Sequence, residues 1–397
     1  MSYLASLILY IMDLFPSLFV FIQGFLLSTA AVVELMFGSA TTLLDSFIEQ
    51  ELPHDEVAIT STTTSSVPLS PALSSSTLPK VATSTPKTPV KKVKPIVSSS
   101  TPAVTTTVPL ASLVSSEEVN TLARASIVNI LCSARSNGTV RSISGSGVIV
   151  DSRGVILTNA HIAQYLLLKD YPSVDSVDCV VRIGSPAEPR YRATLLYLPP
   201  AWIEENASQI KAEHGTGTGE NDYAFIQITS TTNPAGILPS TFPNIAMTAA
   251  PSNTNEGVLI AGYPAGFLDG MSIEKNLYAT SAFSTVGNLY TFNDPTHVDV
   301  ISLGGTVVAQ GGSSGGAVVR TYDGKLVGLV ATATAGETTA QRDLRAITIG
   351  YINRSLIDAG KGGLVELLSA NLEKLSADFA ATLFVEEKKK LVEALER

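Results

Sequence analysis

The chain has 397 residues, 45% of them hydrophobic, a formal net charge of -9 and a pI near 5.0. This length can bury a substantial core. The acidic balance argues against the basic footprint of a nucleic-acid binder, since the basic cluster Lys87, Lys91, Lys92 and Lys94 lies inside a Pro/Ser/Thr tract.

Residues 14–33, LFPSLFVFIQGFLLSTAAVV, carry no formal charge between Asp13 and Glu34, long enough to cross a hydrocarbon core of about 30 Å. No Lys or Arg precedes Lys80, so the basic flank of a cleaved signal peptide is missing and an uncleaved anchor in region 1–50 is expected. Residues 51–115 read as a disordered linker. No acid occurs between Glu56 and Glu117, and Ser, Thr and Pro dominate; such a segment buries too little apolar surface to offset the entropy of ordering.

Order should resume at SSEEVNTLARASIVNI, where Ser115 or Ser116 can cap a helix whose first turn holds Glu117 and Glu118. A strand follows from 127. Short apolar or alternating runs then continue to about residue 349, GSGVIV, VILTNA, CVVRIG, YAFIQI, GVLIAGY, GGAVV and KLVGLVATA among them, separated by turn residues. This rhythm predicts antiparallel β sandwiches or barrels. Residues 199–220 interrupt it with a predicted helix over 202–214 and a glycine-rich exit, read as an insertion on the rim of the β domain.

Cys132 and Cys179 lie in two of the apolar runs, ILCSA and VDCVVRI. They are too few for a disulfide scaffold and lack metal-site spacing. Two buried thiols and one disulfide both remain open, and only an oxidising compartment favours the bridge. No metal or other cofactor is called for. The tail, 356–397, places Leu364, Leu368, Leu372, Leu375, Phe379 and Leu383 at helical spacing. It should form an amphipathic helix docked on its own protein, with self-association through a coiled coil as the alternative.

Serine acyl transfer needs a hydroxyl on a tight turn, a histidine base and a carboxylate that orients the base. GSSGG offers the hydroxyl, GVILTNAHIAQ a histidine directly after an apolar strand, and ENDYAFIQI an aspartate directly before one. Each feature alone also has a bland reading as loop, strand end or turn cap. In chain order, SGSGVIVDSRGVILTNAHI, NDYAFIQI, GYPAG and GGSSGGAVV resemble the trypsin-like family with the chymotrypsin double-barrel fold, especially its HtrA-like bacterial branch.

The resemblance spans roughly residues 117–352 and implies a mostly β, chymotrypsin-like double β-barrel over 116–355. By position it implies His161, Asp222 and Ser314 as the catalytic triad, and Gly312 and Ser314 N–H groups as the oxyanion hole. It puts the base of the substrate pocket at Val308 and its walls at Leu329, Val330, Ala331 and Thr332. With no acid at Val308, small or medium apolar P1 side chains are expected, not Lys or Arg.

Two departures matter. Zymogens of this family pair a new N-terminus with an aspartate just before the nucleophile, and here Ser313 stands there, so that activation is not expected. Only about 45 residues follow the protease region, too few for a PDZ domain.

The expected protein is thus a membrane-anchored serine endopeptidase outside the cytoplasmic membrane, acting on proteins or peptides. The alternative is a catalytically silent, protease-like peptide-binding or scaffold protein.

Overall fold

Alternation of buried side chains along the strands explains the architecture of this computed structural model, which describes residues 91–92, 114–136, 139–212 and 217–397. The predicted anchor, 14–33, lies outside the described residues, as does most of the linker. Among the described residues no helix is long and apolar enough to cross a membrane.

Helix α1 (Ser116–Ser126) begins as expected: Ser115 Oγ accepts from the Glu118 N–H, and the Glu118 carboxylate accepts in return from the Ser115 N–H. Strands β2 (Ile127–Ser136), β3 (Thr139–Asp151), β4 (Val155–Thr158), β5 (Val177–Ile183), β6 (Glu188–Tyr197) and β7 (Ala224–Thr231) close into an antiparallel barrel in the order β2-β3-β4-β7-β6-β5. β8 (Gly257–Gly262), β9 (Thr280–Thr285), β10 (Leu289–Thr291), β11 (Val300–Gly304), β12 (Ala317–Arg320), β13 (Leu326–Ala333) and β14 (Leu344–Thr348) form a second sheet, ordered β10-β11-β14-β13-β12-β8-β9, which makes a half-barrel.

Two clusters fill these sheets and a third joins them. Ile149, Ile156 and Ile226 belong to the first cluster, and Val258, Ile260, Val318 and Val330 to the second. Their sequence neighbours Val148, Leu157, Phe225, Leu259, Ala317 and Leu329 share the third. Successive strand residues point to opposite faces, so strands at the junction are buried on both. This is why VILT and GLV read as unbroken apolar runs rather than alternating ones.

Three expectations need correction. β1 (Lys91–Lys92), inside the predicted linker, pairs antiparallel with Tyr290 and Thr291 at the edge of the half-barrel sheet. The helix expected over 202–214 is shorter: α3 spans Pro200–Asn206, followed by a 3-10 turn at Ala207–Gln209. The Asn206 side chain donates to the Trp202 carbonyl, the acceptor an uninterrupted helix reserves for backbone.

The third correction concerns the tail, which is several helices rather than one. α5 (Ile349–Asp358) follows β14, and then come α6 (Leu364–Ser369), α7 (Leu372–Ala381) and α8 (Leu383–Glu396). Asn371 separates two of them because its side chain caps α7, accepting from Lys374 N at 2.9 Å. The apolar stripe nevertheless faces the chain's own core. Leu372 and Phe379 are buried, Ser376 Oγ donates to the Leu195 carbonyl at 3.1 Å, and Lys390 pairs with Glu204. The face that a coiled coil would need is therefore covered by the first barrel.

Cys132 and Cys179 occupy directly opposed positions on β2 and β5 and are joined by a disulfide.

Candidate active site

The site lies where the two sheets meet, built from the ends of strands. β4 delivers His161 through Thr158, Asn159 and a single helical turn, α2 (Ala160–Ala163). Asp222 immediately precedes Tyr223 and β7, and Ser314 lies in the tight turn before β12.

Asp222 is buried, and both its oxygens serve His161. Oδ2 lies 2.8 Å from Nδ1 of the ring, and Oδ1 accepts from the His161 backbone N–H at 3.0 Å. The Asn159 amide donates to the Asp222 carbonyl at 2.7 Å. Burial opposes a charge on His161, but the Asp222 carboxylate and its hydrogen bond outweigh it, so the imidazole pKa is raised above its usual 6.5.

The turn carrying Asp222 is held from the far end of the domain. Asn221 adopts φ 56, a left-handed conformation that Asn tolerates better than most residues. Its N–H donates to Tyr351 Oη, and the Tyr351 hydroxyl donates to Asn221 Oδ1, both at 3.0 Å. Tyr351 stands on α5, which packs against β13 and β14.

The loop carrying Ser314 is fixed peptide by peptide. The Gly311 carbonyl accepts from Ala265 N at 2.7 Å, the Gly312 carbonyl from Ser146 Oγ at 2.7 Å, the Ser313 carbonyl from Gly316 N at 2.9 Å, and the Ser314 carbonyl from Ser146 N at 2.7 Å. Gly312 and Gly315 have φ of +87 and +84, which side chains with a Cβ rarely adopt. A Cβ at Gly315 would fall 2.0 Å from the Ser146 carbonyl oxygen. The N–H groups of Gly312 and Ser314 donate to no protein acceptor among the described residues. No hydrogen bond joins Ser314 Oγ to His161, a contact often long in ligand-free enzymes.

Neighbouring Ser313 is buried, and its hydroxyl has no partner among the described residues. Of the residues expected to form the pocket, Val308 and Val330 are buried in the same apolar cluster of the half-barrel, while Leu329 and Ala331 join the cluster between the sheets. Thr332 is partly exposed beside Gly219 at the exit of the 199–220 insertion.

Sequence reasoning did not single out Ser146, Asn159 or Tyr351. Ser146 stands between Gly145 and Gly147 and Asn159 between Thr158 and Ala160, settings in which a small polar residue is as readily part of a turn. Tyr351 carried no local signal, because its partner lies 130 residues away.

Residues 145–329 match the family model described as "trypsin-like peptidase domain". Among solved structures, the active form of the Rv3671c protease from M. tuberculosis is similar at 22% identity. The match covers 62% of this chain and 85% of that one, with a TM-score of 0.38. No curated protein matches.

Proposed function

We propose that this chain, whose residues 145–329 match the trypsin-like peptidase model, is a serine endopeptidase with His161, Asp222 and Ser314 as its catalytic triad. The observation that carries this reading is the two-point hold of Asp222 on His161. With Nδ1 engaged by the carboxylate, the ring presents Nε2 as the base that takes the Ser314 hydroxyl proton.

Ser314 Oγ then attacks the scissile carbonyl carbon, and the carbonyl electron pair moves onto oxygen. The resulting oxyanion is stabilised by the N–H groups of Gly312 and Ser314. Protonated His161, favoured by Asp222, gives its proton to the leaving amine. Water repeats the sequence and releases the acyl group.

P1 preference is for small or medium apolar side chains, supported by the uncharged Val308 at the position that the resemblance gives to the pocket base. The domain works outside the cytoplasm, tethered to the membrane through residues 14–33. In support, the Cys132–Cys179 disulfide is the kind of bond that persists in oxidising compartments.

Fluorophosphonate labelling followed by peptide mapping tests the triad, with Ser314 as the expected adduct. A peptide library profiles P1. A labelled serine elsewhere, or a preference for Lys or Arg, would overturn the respective assignment. Protease protection in intact cells checks the location.

A further inference from the structure

We propose that Ser146 is a positioning residue that holds the Ser314 N–H in its oxyanion-binding orientation; this rests on the reading of Ser314 as nucleophile. Ser146 is fully buried on β3, and all of its polar atoms are engaged. Its N–H donates to the Ser314 carbonyl at 2.7 Å. Its hydroxyl donates to the Gly312 carbonyl at 2.7 Å and accepts from Tyr263 N at 2.9 Å. Its carbonyl accepts from Thr158 Oγ1 at 2.7 Å.

The placement of these bonds matters more than their number. A trans peptide is planar, so fixing a carbonyl fixes the N–H of the next residue. The Ser314 N–H belongs to the peptide between Ser313 and Ser314, whose own carbonyl accepts from Gly316 N at 2.9 Å within the turn. Ser146 grips the peptide on each side of it, one through its hydroxyl and one through its backbone. Gly312, at the start of this bracket, lacks the Cβ that would limit rotation. Its carbonyl is directed by the one hydroxyl proton of Ser146, whose oxygen is itself oriented by Tyr263 N.

The same residue ties this bracket to the histidine. Thr158, which donates to the Ser146 carbonyl, lies three residues before His161. Ser146 thus connects the element that carries the base to the loop that carries the nucleophile, without itself touching the reacting atoms.

Ser146→Ala removes the hydroxyl link and keeps both backbone bonds. Losing an oxyanion donor outright costs about 10²–10³ in kcat, so loosening its neighbour should cost about 10-fold. The full-length chain, Ser146→Ala and Ser146→Thr are compared by kcat and KM on one peptide substrate and by thermal melting.

The expected result is a roughly 10-fold lower kcat for Ser146→Ala with KM within about 2-fold, and recovery in Ser146→Thr. Three results would overturn the proposal: unchanged kcat in Ser146→Ala, a loss confined to KM, or a Ser146→Thr protein that folds but is as slow as Ser146→Ala. Failure of Ser146→Ala to fold would also overturn it, by making Ser146 a residue of the fold rather than of the site. Fluorophosphonate labelling of the unmodified chain separates the two levels, because absence of a Ser314 adduct there removes the nucleophile assignment itself.

Discussion

His161 Nδ1 and Asp222 Oδ2 lie 2.8 Å apart, while the second oxygen of the same carboxylate holds the His161 backbone N–H at 3.0 Å. Asp222 thus sets both the position and the ring orientation of the base. Its charge raises the imidazole pKa, so His161 keeps its proton to higher pH than an ordinary histidine. With the neutral ring as the proposed base, kcat/KM should rise with pH through a midpoint above 6.5 and flatten beyond it. Asp222→Asn should lower kcat by about 10⁴-fold. A pH–rate profile checks the midpoint; one at or below 6.5 would contradict the raised pKa.

The two serines of GSSGG should separate cleanly. Ser314→Ala removes the proposed nucleophile and should lower kcat by about 10⁶-fold. Ser313→Ala removes a buried hydroxyl without a partner among the described residues, so activity should stay within about 3-fold and melting should be unchanged or higher. Steady-state kinetics and calorimetry on both variants decide this, and equal losses would mean the wrong serine was chosen.

Gly315→Ala should abolish fluorophosphonate labelling. The new Cβ would sit 2.0 Å from the Ser146 carbonyl oxygen, at a backbone φ of +84. Relief requires the loop to move away from β3, which carries Ser314 out of place. Labelling at the unmodified rate would show that the turn tolerates the displacement.

Glu387 on α8 should make stability depend on pH. It is buried, and neither carboxylate oxygen has a hydrogen-bond partner among the described residues. Burial pushes its pKa up to about 8, with Lys390 opposing and Glu386 adding. The Glu387 charge in turn adds to burial in raising the Tyr197 hydroxyl of β6. Below the unfolded value near 4.5 the group is protonated in both states. As pH rises from 4.5 to 8, the unfolded chain loses this proton first and stability falls, the loss being complete above 8. The melting temperature gained by Glu387→Gln should therefore grow across that window and level off above it; a gain independent of pH would contradict this.

The disulfide closes a segment with a sequence separation of 47. Removing it by paired Cys132→Ser and Cys179→Ser substitutions should lower unfolding free energy by up to about 4 kcal/mol through the freed loop. Denaturant titration measures the change, and native protein should show no titratable thiol before reduction.

Much of this protein was legible locally. The capped start of α1 follows from Ser115 and Glu118, which are near in sequence and satisfy each other directly. The β-rich domain follows from short apolar runs and turn residues. The candidate residues were visible because TNAH, NDYA and GGSSGG are each continuous, so local sequence carries both the side chain and the turn that presents it.

Other features depended on partners distant in sequence. The apolar stripe of the tail was readable, but its helix boundaries depended on Asn371 capping α7, and its occupant on the surface offered by β6. The state of Cys132 and Cys179 depended on β2 and β5 pairing in a register that sets the two residues opposite each other. Whether a side chain such as Val308 faces a pocket or a core is likewise a property of the layers above and below it.

The sequence by itself determined which groups can do chemistry, because nucleophile, base and carboxylate are properties of residue type in a local turn. Only the tertiary structure decided how those groups are aimed. Ser146 reaches Gly312 across 166 residues and Tyr351 reaches Asn221 across 130, and hydrogen bonds between such distant segments exist only once the two sheets have packed together.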